Sequence, residues 1–156
     1  MLTIDQYSDI FGDENSTTII YQDGQPIQVT SYRSIYVPDV DMEAEGILHS
    51  VKYKNNSGKN IVAIKFGFAS FDAFNHLLDS FTGISIEDIE VDSDAEGTWK
   101  QTCISPWLYK KFGSGVMYID VVRFQDGSFW YSDKDKIISE LQKFEKDLKK
   151  EDLKKK

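Results

Sequence analysis

The chain has 156 residues, of which 40% are hydrophobic and 13% aromatic, and its net charge at neutral pH is −8. A chain of this length can bury roughly 70% of the surface that it exposes when unfolded, so it needs no disulfide or metal to fold. The single cysteine, Cys103, excludes an internal disulfide and a cysteine-based zinc site. The negative charge disfavours nucleic-acid binding, and no apolar run approaches the ~20 residues of a membrane span.

The excess acidic residues are concentrated near the N-terminus, where residues 1–46 carry nine acidic side chains and one basic one, Arg33. The first residues, MLTIDQYSD, lack the basic region and the long apolar stretch of a signal peptide. We therefore expect a cytoplasmic protein if Met1 is the native start, and an exported or surface-associated one if a signal has been removed.

A short helix and a hairpin are predicted in an acidic N-terminal extension that covers residues 1–45. Thr3 is placed to cap the helix, with Gln6 as the reciprocal partner of a capping box. The dipeptide Asp23-Gly24 favours a type I′ turn between two strands, and an acidic loop follows the hairpin.

The clearest β pattern follows this extension. Apolar and polar residues alternate from Ile47 to Lys54 and again from Val62 to Phe68, on either side of a turn rich in Asn, Ser and Gly at 55–59. This period of two predicts an antiparallel hairpin. Roughly eight short strands along the chain, with regular turns, predict a mostly β, antiparallel β-sandwich whose core covers residues 46–131.

A second Asp-Gly dipeptide, Asp126-Gly127, predicts the last hairpin, again through a type I′ turn. Three aromatic residues follow it. In a strand the Phe129 and Tyr131 side chains point one way and the Trp130 side chain points the other way. We expect one set to enter the core, and the other to cover the core or to lie under the C-terminal helix.

An amphipathic helix is predicted from Asp133 to Lys154, within the C-terminal segment 132–156. Ser132 is placed to cap this helix, with Asp135 at the capping-box position. Such a helix either packs on its own domain or joins a partner helix, and the second alternative would make the protein a homo-oligomeric scaffold. Its apolar stripe comprises Ile137, Leu141, Phe144 and Leu148.

Several turn and core residues form a pattern: an Asn-x-Ser-Gly-Lys turn at Asn55–Lys59, an Asp-x-Phe strand end at Asp72–Phe74, and later Asp126-Gly127 followed by Trp130. This pattern resembles the small immunoglobulin- or fibronectin-like β-sandwich domains of unknown function in bacterial exported and lipoprotein-type proteins. The resemblance covers residues 46–131. It implies an Ig-like sandwich and export, and it implies no catalytic residues.

The best metal candidate is an acidic loop before a predicted strand. Asp92, Asp94 and Glu96 occupy the first, third and fifth positions of a calcium-loop pattern, and a glycine occupies the sixth. The twelfth position is Cys103 instead of a bidentate glutamate, so the loop is not an EF-hand. This loop and a second one are each a candidate for half of a weak calcium site, or the two converge on one site; the alternative is a solvated acidic loop. The second loop comprises Asp39, Asp41, Glu43 and Glu45.

Signatures of catalysis are weak. The turn NNSGKN lacks the first glycine and the final Ser or Thr of a phosphate-binding loop. His49 lies on an apolar face, where we expect a satisfied core residue, and His76 is isolated. Asp120 interrupts an apolar strand, and we expect it to face solvent or to be hydrogen-bonded at a sheet edge. We therefore predict no catalytic residue, no cofactor and no enzymatic activity, with a carboxylate-dependent hydrolase as the alternative.

Trp107 and Tyr109 are the candidates for an exposed aromatic surface, because Pro106 and the lysines that follow indicate a loop. The leading hypothesis is a non-catalytic module that binds another protein or a surface glycan. The hydrolase and the oligomeric scaffold remain the alternatives.

Overall fold

The computed structural model describes residues 3–11, 14–38, 45–102 and 111–153. This part of the chain contains two α-helices, eight strands and a 3-10 helix. In chain order these are α1 (Ile4–Phe11), β1 (Ser16–Ile19), β2 (Ile27–Val37), β3 (Gly46–Asn55), β4 (Ile61–Asp72), β5 (Leu77–Ser85), β6 (Asp94–Thr102), β7 (Phe112–Phe124), β8 (Phe129–Tyr131), α2 (Lys134–Leu141) and the 3-10 helix (Lys150–Asp152).

The strands form two sheets that pack face to face. Sheet A has the order β2-β3-β6, and sheet B has the order β1-β7-β4-β5, with β8 also paired to β7. Neighbouring strands are antiparallel except for β1, which runs parallel to β7. The predicted mostly β, antiparallel sandwich with an N-terminal and a C-terminal helix is confirmed.

The inner core lies between the two sheets and is rich in aromatic rings. Tyr53 of β3 packs against Phe66 of β4 with ring centroids 5.2 Å apart, and both side chains are buried. Trp99 of β6 closes one side of the sandwich, since its indole N–H donates to the Ile84 carbonyl of β5 at 3.1 Å. The indole lies beside Gly83, where an added Cβ atom would be 2.9 Å from the ring.

Each helix covers part of the outer face of one sheet. Ile4 and Tyr7 of α1 are buried against sheet A, where they meet Ile35, Val37 and Leu48. On sheet B, α2 and the segment after it cover a second apolar cluster, whose sheet residues are Ala69, Phe71, Val116 and Tyr118. The protein is therefore layered as helix, sheet A, sheet B and helix.

The capping box of α1 is formed as predicted. The backbone N–H of Gln6 donates to Thr3 Oγ1 at 3.2 Å, and the backbone N–H of Thr3 donates to Gln6 Oε1 at 2.8 Å. Backbone donors at the start of a helix have no partner within it, and the reciprocal pair satisfies two of them.

The cap of α2 is Asp133, one residue later than predicted. The Asp133 side chain accepts hydrogen bonds from the backbone N–H groups two and three residues further along. Ser132 instead donates through its hydroxyl to Asp120 at 2.9 Å. The carboxylate is the better cap because its charge also complements the positive end of the helix.

The predicted helix from Asp133 to Lys154 is too long, since α2 ends at Leu141. The chain then turns, and Gln142 Nε2 donates to the Leu148 carbonyl at 2.9 Å. The turn brings Phe144 onto sheet B, and the whole predicted stripe packs there: Ile137, Leu141, Phe144 and Leu148. The structure therefore shows the stripe packed on its own domain, and a homo-oligomer through these residues stays a prediction.

The predicted hairpin of β3 and β4 is wrong, because the two strands belong to different sheets. A period of two indicates one buried face per strand, and strands that face each other across a sandwich show the same pattern as a hairpin.

The side chain of Asn55 stabilises the segment that crosses from β3 in sheet A to β4 in sheet B. Its Nδ2 donates to the carbonyls of Lys59 at 2.8 Å and Ile89 at 3.0 Å, and its Oδ1 accepts from the Ser57 hydroxyl.

The predicted hairpin around Asp23-Gly24 is wrong for the same reason, since β1 lies in sheet B and β2 in sheet A. Gly24 has a φ of +73° while Asp23 does not have a positive φ. The Gln25 N–H donates to the Gln22 carbonyl at 3.1 Å, so the turn has the pattern of type II instead of type I′. Residues 16–37 therefore supply two strands of the sandwich and are not an extension of it.

Gln22 occupies the gap between β1 and β8 along one edge of β7. Its Nε2 donates to the Ile119 carbonyl at 3.0 Å, and its Oε1 accepts from the backbone N–H of Asp133 at 2.8 Å. The buried carboxamide thereby takes the place of a peptide group in the sheet and satisfies backbone groups that would otherwise be unpaired.

The last predicted hairpin is confirmed, since β7 pairs with β8 and Val122 lies opposite Trp130. The predicted type I′ turn, however, is wrong. Gly127 has a φ of +87° while Asp126 does not have a positive φ, and the Gly127 N–H donates to the Phe124 carbonyl at 3.0 Å. This is the longer hairpin loop in which a single glycine adopts the left-handed conformation.

Candidate binding surface

A polar network crosses the inner core. The Tyr32 hydroxyl donates to His49 Nδ1 at 2.9 Å, and His49 Nε2 donates to Gln101 Oε1 at 2.8 Å. Ser70 Oγ also donates to that oxygen, at 3.4 Å. The His49 ring stacks on Phe68 with centroids 4.3 Å apart. Because burial keeps His49 neutral and the Gln101 oxygen can only accept, the ring carries its hydrogen on Nε2, and Nδ1 accepts from Tyr32.

This network is structural, because solvent does not reach it. Burial lowers the pKa of His49 from 6.5 to about 4, against the smaller opposing effect of the hydrogen bond to Gln101. Burial also raises the pKa of Tyr32 well above its ordinary value. His49 and Gln101 are 0% exposed, so the predicted role of His49 as a satisfied core residue is confirmed.

The displaced carboxyl pKa values do not favour a hydrolase. A general acid needs a raised pKa, whereas in the described part of the chain the pKa values of Glu14, Asp72, Asp126 and Glu140 are lowered. Hydrogen bonds from Ser128 lower the pKa of Asp126 to about 2. These four groups are therefore ionised acceptors in turns and ion pairs.

Asp120 lies at a β-bulge in a central strand and not at a sheet edge. Lys65 and Phe66 of β4 pair with the residues on either side of Asp120, which leaves Asp120 as the extra residue of β7. Its carboxylate accepts from the Ser132 hydroxyl and pairs with Lys134. The break in the apolar pattern of this strand therefore marks a bulge.

The calcium candidates are arranged for pairing across strands. Asp94 and Glu96 lie on the exposed face of β6, in register with Lys54 and Lys52 of β3. Asp92 lies in the preceding turn with a φ of +64°. Within the described ranges, no three Asp, Glu, His or Cys side chains are grouped so that they could hold a metal ion. Opposite charges in register stabilise the sheet modestly, and calcium binding at these residues stays a prediction.

Several predicted site residues lie outside the described residues. They are Asp39, Asp41 and Glu43 of the second acidic run, Cys103, and the aromatic candidates Trp107 and Tyr109. Their roles stay predictions. Glu45, the last residue of the acidic run, is described, and its carboxylate accepts a hydrogen bond from the Tyr36 hydroxyl.

One half of the outer surface of sheet B is left uncovered by the described chain. The half that contains Phe71 and Tyr118 lies under α2 and the segment after it. The other half presents side chains of four adjacent strands, and we call these residues the open face. They are Phe129 and Tyr131 of β8, Val121 and Arg123 of β7, Ala63 and Lys65 of β4, and Ile84 of β5.

The open face contains an exposed pair of stacked rings. The Phe129 and Tyr131 side chains are 47% and 66% exposed, and their rings lie 5.6 Å apart with an interplanar angle of 16°. The Arg123 guanidinium lies 5.3 Å from the centre of the Phe129 ring. Trp130 points the other way and packs against the inner core. The predicted division of the three side chains is confirmed, but Phe129 and Tyr131 face solvent and do not cover the core or lie under α2.

The cavities of the described surface are shallow. One of about 170 Å³ lies beside β8 and is smaller than an ordinary small-molecule site. Two wider depressions, of about 460 and 410 Å³, lie over β6 and the acidic turn before it. The first is lined by charged and uncharged side chains in equal number, and the second mostly by carboxylates. We therefore place the candidate site on the open face, which suits a broad contact better than an enclosed ligand.

Sequence reasoning found the aromatic residues of the open face but missed their neighbours. Lys65, Ile84 and Arg123 come from three strands and become adjacent only through the pairing order of sheet B. Alternation indicates which way each side chain points, but no local signal in the sequence indicates which strands are neighbours.

Comparison with known proteins supports the fold and indicates no function. A scan against family models finds no match, and a search of curated proteins finds none either. A structure from Peptoclostridium difficile 630, described as a hypothetical protein, is similar over 79% of this chain and 93% of that chain, with a TM-score of 0.56 and 10% sequence identity. Northeast Structural Genomics Consortium target SoR45 is similar over 69% of this chain and 80% of that chain, with a TM-score of 0.44 and 16% identity. At 10% identity the first similarity concerns the fold alone.

Neither helix in the described ranges is long and apolar enough to cross a bilayer.

Proposed function

We propose that the protein is a non-catalytic binding module that recognises another protein through the open face. The observation that carries this proposal is the stacked pair of Phe129 and Tyr131, which stays exposed although the other half of the same sheet is covered. Aromatic residues and arginine are enriched at protein interfaces, and Arg123 lies beside the pair. A contiguous apolar surface on rigid strands is typical of an interaction site.

The ring geometry favours a protein partner over a glycan. A sugar ring packs on the flat face of an aromatic ring, so a glycan site needs free ring faces. Here Phe129 has Tyr131 against one face, and the guanidinium of Arg123 also lies over the ring. These contacts leave less of the Phe129 ring free for a sugar, and the pair suits the aliphatic and aromatic side chains of another protein.

The strand partition supports an immunoglobulin- or fibronectin-like assignment of the sandwich. In immunoglobulin-type domains strands A, B and E share one sheet, and strands C, F and G share the other, with C′ beside C where it is present. Counted from β2, the strands β2, β3 and β6 share sheet A, and β4, β7 and β8 share sheet B with β5 beside β4. Domains of this kind often act as interaction modules, and a bacterial exported origin is part of the same proposal.

The test is chemical-shift mapping of the labelled protein with a panel of extended peptides and a panel of oligosaccharides. We expect peptides to shift the amides of β7, β8 and the facing part of β4, and the double variant Phe129→Ser, Tyr131→Ser to lose these shifts. The matched control is Phe74→Ser, because Phe74 is 83% exposed in the turn between β4 and β5 and lies outside the open face. Shifts confined to another surface, or equal binding by the double variant, would contradict the proposal.

A further inference from the structure

The open face carries two cationic side chains that form no ion pair with the described residues. Lys65 of β4 lies opposite Val121 of β7, so Lys65 and Arg123 are diagonal neighbours on adjacent strands. Such neighbours are roughly 7–8 Å apart and lie within reach of one partner segment. Both side chains are exposed, and neither forms an ion pair with any residue that the structure describes.

The carboxylates of the hairpin turn and of the bulge are engaged by other lysines. Asp126, in the turn between β7 and β8, pairs with Lys59 at 3.0 Å. Asp120, at the bulge, pairs with Lys134. The open face therefore keeps a local positive charge in a chain whose net charge is −8.

We infer that the partner presents an acidic, extended protein segment to the open face, an inference that rests on the proposed function. One row across the strands runs from Tyr131 through Val121 and Lys65 to Ile84, so a cation lies between apolar side chains. The adjacent row places Arg123 between Phe129 and Ala63. A segment that presents both carboxylates and apolar side chains on one face, at every second residue, matches both rows.

Arg123 is the better placed of the two cations for binding a carboxylate. Its guanidinium lies over the Phe129 ring, so part of the conformational entropy of the side chain is already lost before binding. A guanidinium binds a carboxylate through two parallel hydrogen bonds, whereas the Lys65 ammonium acts as a point charge. Arg123 is therefore expected to fix the register of the partner segment, and Lys65 to add attraction at longer range.

The test compares two synthetic heptapeptides by titration of the labelled full chain. In one, the residues at every second position are alternately an acid (Asp or Glu) and Phe or Val, so that one face carries both kinds; in the other, Asn or Gln replaces each acid. We expect the acidic peptide to bind about three- to fivefold more tightly at low salt, and the difference to disappear at roughly 1 M salt. Lys65→Glu and Arg123→Glu should each lower the ratio of the two affinities, acidic over amide peptide, to about one or below, with both peptides measured on the same variant. Lys52→Glu, on the exposed face of sheet A, is the matched control and should keep the preference for the acidic peptide.

The possible outcomes separate this inference from the proposed function. Equal binding of the two peptides at the open face would overturn the acidic partner and leave the binding surface in place. If neither peptide shifts the open-face amides, both the acidic partner and the binding surface are overturned. Loss of the preference in Lys52→Glu as well would show unspecific attraction and overturn the inference. Binding of an acidic oligosaccharide such as oligogalacturonate at the open face, with neither peptide bound, would replace the protein partner by a glycan.

Discussion

Replacing His49 by glutamine is expected to remove a contribution to the free energy of unfolding that falls away as the pH is lowered from about 6.5 to about 4. Burial keeps the folded-state pKa of His49 at about 4, whereas in the unfolded chain it is about 6.5. In this interval the unfolded state binds a proton and the folded state does not, so the free energy of unfolding falls as the pH falls. The contribution is complete above pH 6.5 and is lost by pH 4.

The difference between these two pKa values corresponds to about 3 kcal/mol, of which about 2.5 kcal/mol is lost by pH 4.5. Glutamine cannot titrate, but its amide can donate to Gln101 and accept from Tyr32, so it preserves the two hydrogen bonds of the ring. The variant is expected to be less stable than the wild type at pH 7.5, because the stacking on Phe68 is lost. Between pH 7.5 and pH 4.5, however, it should lose about 2.5 kcal/mol less than the wild type.

Urea unfolding at the two pH values measures this difference for the wild type, His49→Gln and the control His76→Gln. The side chain of His76 is 69% exposed and lies outside the buried network, so His76→Gln is the histidine-to-glutamine control that leaves His49 in place. The carboxyl groups are common to all three proteins and cancel in the comparison. If the free energy of unfolding of His49→Gln falls between pH 7.5 and pH 4.5 by as much as that of the wild type, the assignment of His49 as a buried neutral group is refuted.

Three further variants test the packing by urea unfolding. Gly83→Ala places a methyl group 2.9 Å from the Trp99 indole and should lower the free energy of unfolding by about 1–3 kcal/mol. In the control Gly58→Ala the methyl group meets nothing within 4 Å, so the loss should be small. Equal losses in the two variants would contradict the packing of Trp99 on Gly83. Asp133→Ala removes the cap of α2 and should lower the free energy of unfolding by about 1 kcal/mol, which is more than Ser132→Ala should. A larger loss in Ser132→Ala would show that Ser132 is the cap. Leu141→Asp places a charge at a fully buried position and should cost about 4 kcal/mol or more. A variant at this position that stays folded but dissociates in sedimentation would instead support a partner helix.

The sequence predicts the strands well because each strand has one buried face. The alternation from Ile47 to Lys54 and from Val62 to Phe68 marks two strands, and both exist. It does not indicate whether two successive strands pair with each other or face each other across the core, because the burial pattern is the same in both arrangements. Both Asp-Gly turns were predicted at their correct positions, but only the one at Asp126-Gly127 joins paired strands.

The candidate site was predictable only in part, because it depends on where α2 ends. Alternation placed Phe129 and Tyr131 on one face, but their exposure follows from the length of the covering segment. The apolar stripe continues to Leu148 at helical spacing, so the pattern favours a long helix. The actual helix has eight residues and is about 12 Å long, and the turn at Gln142 keeps the rest of the stripe over the same half of the sheet.

The pairing of β1 with β7 has a consequence for synthesis on the ribosome. Gln22 binds Ile119, 97 residues further along the chain, and β1 lies beside the start of the same strand. At a synthesis rate of about 5–20 residues per second, the N-terminal strand emerges roughly 5–20 s before its partner does. During this interval its backbone groups have no sheet to join, so nascent chains that stop before residue 114 should be cleaved by proteases between residues 16 and 22. Protection of that segment should begin only when the last long strand has left the exit tunnel.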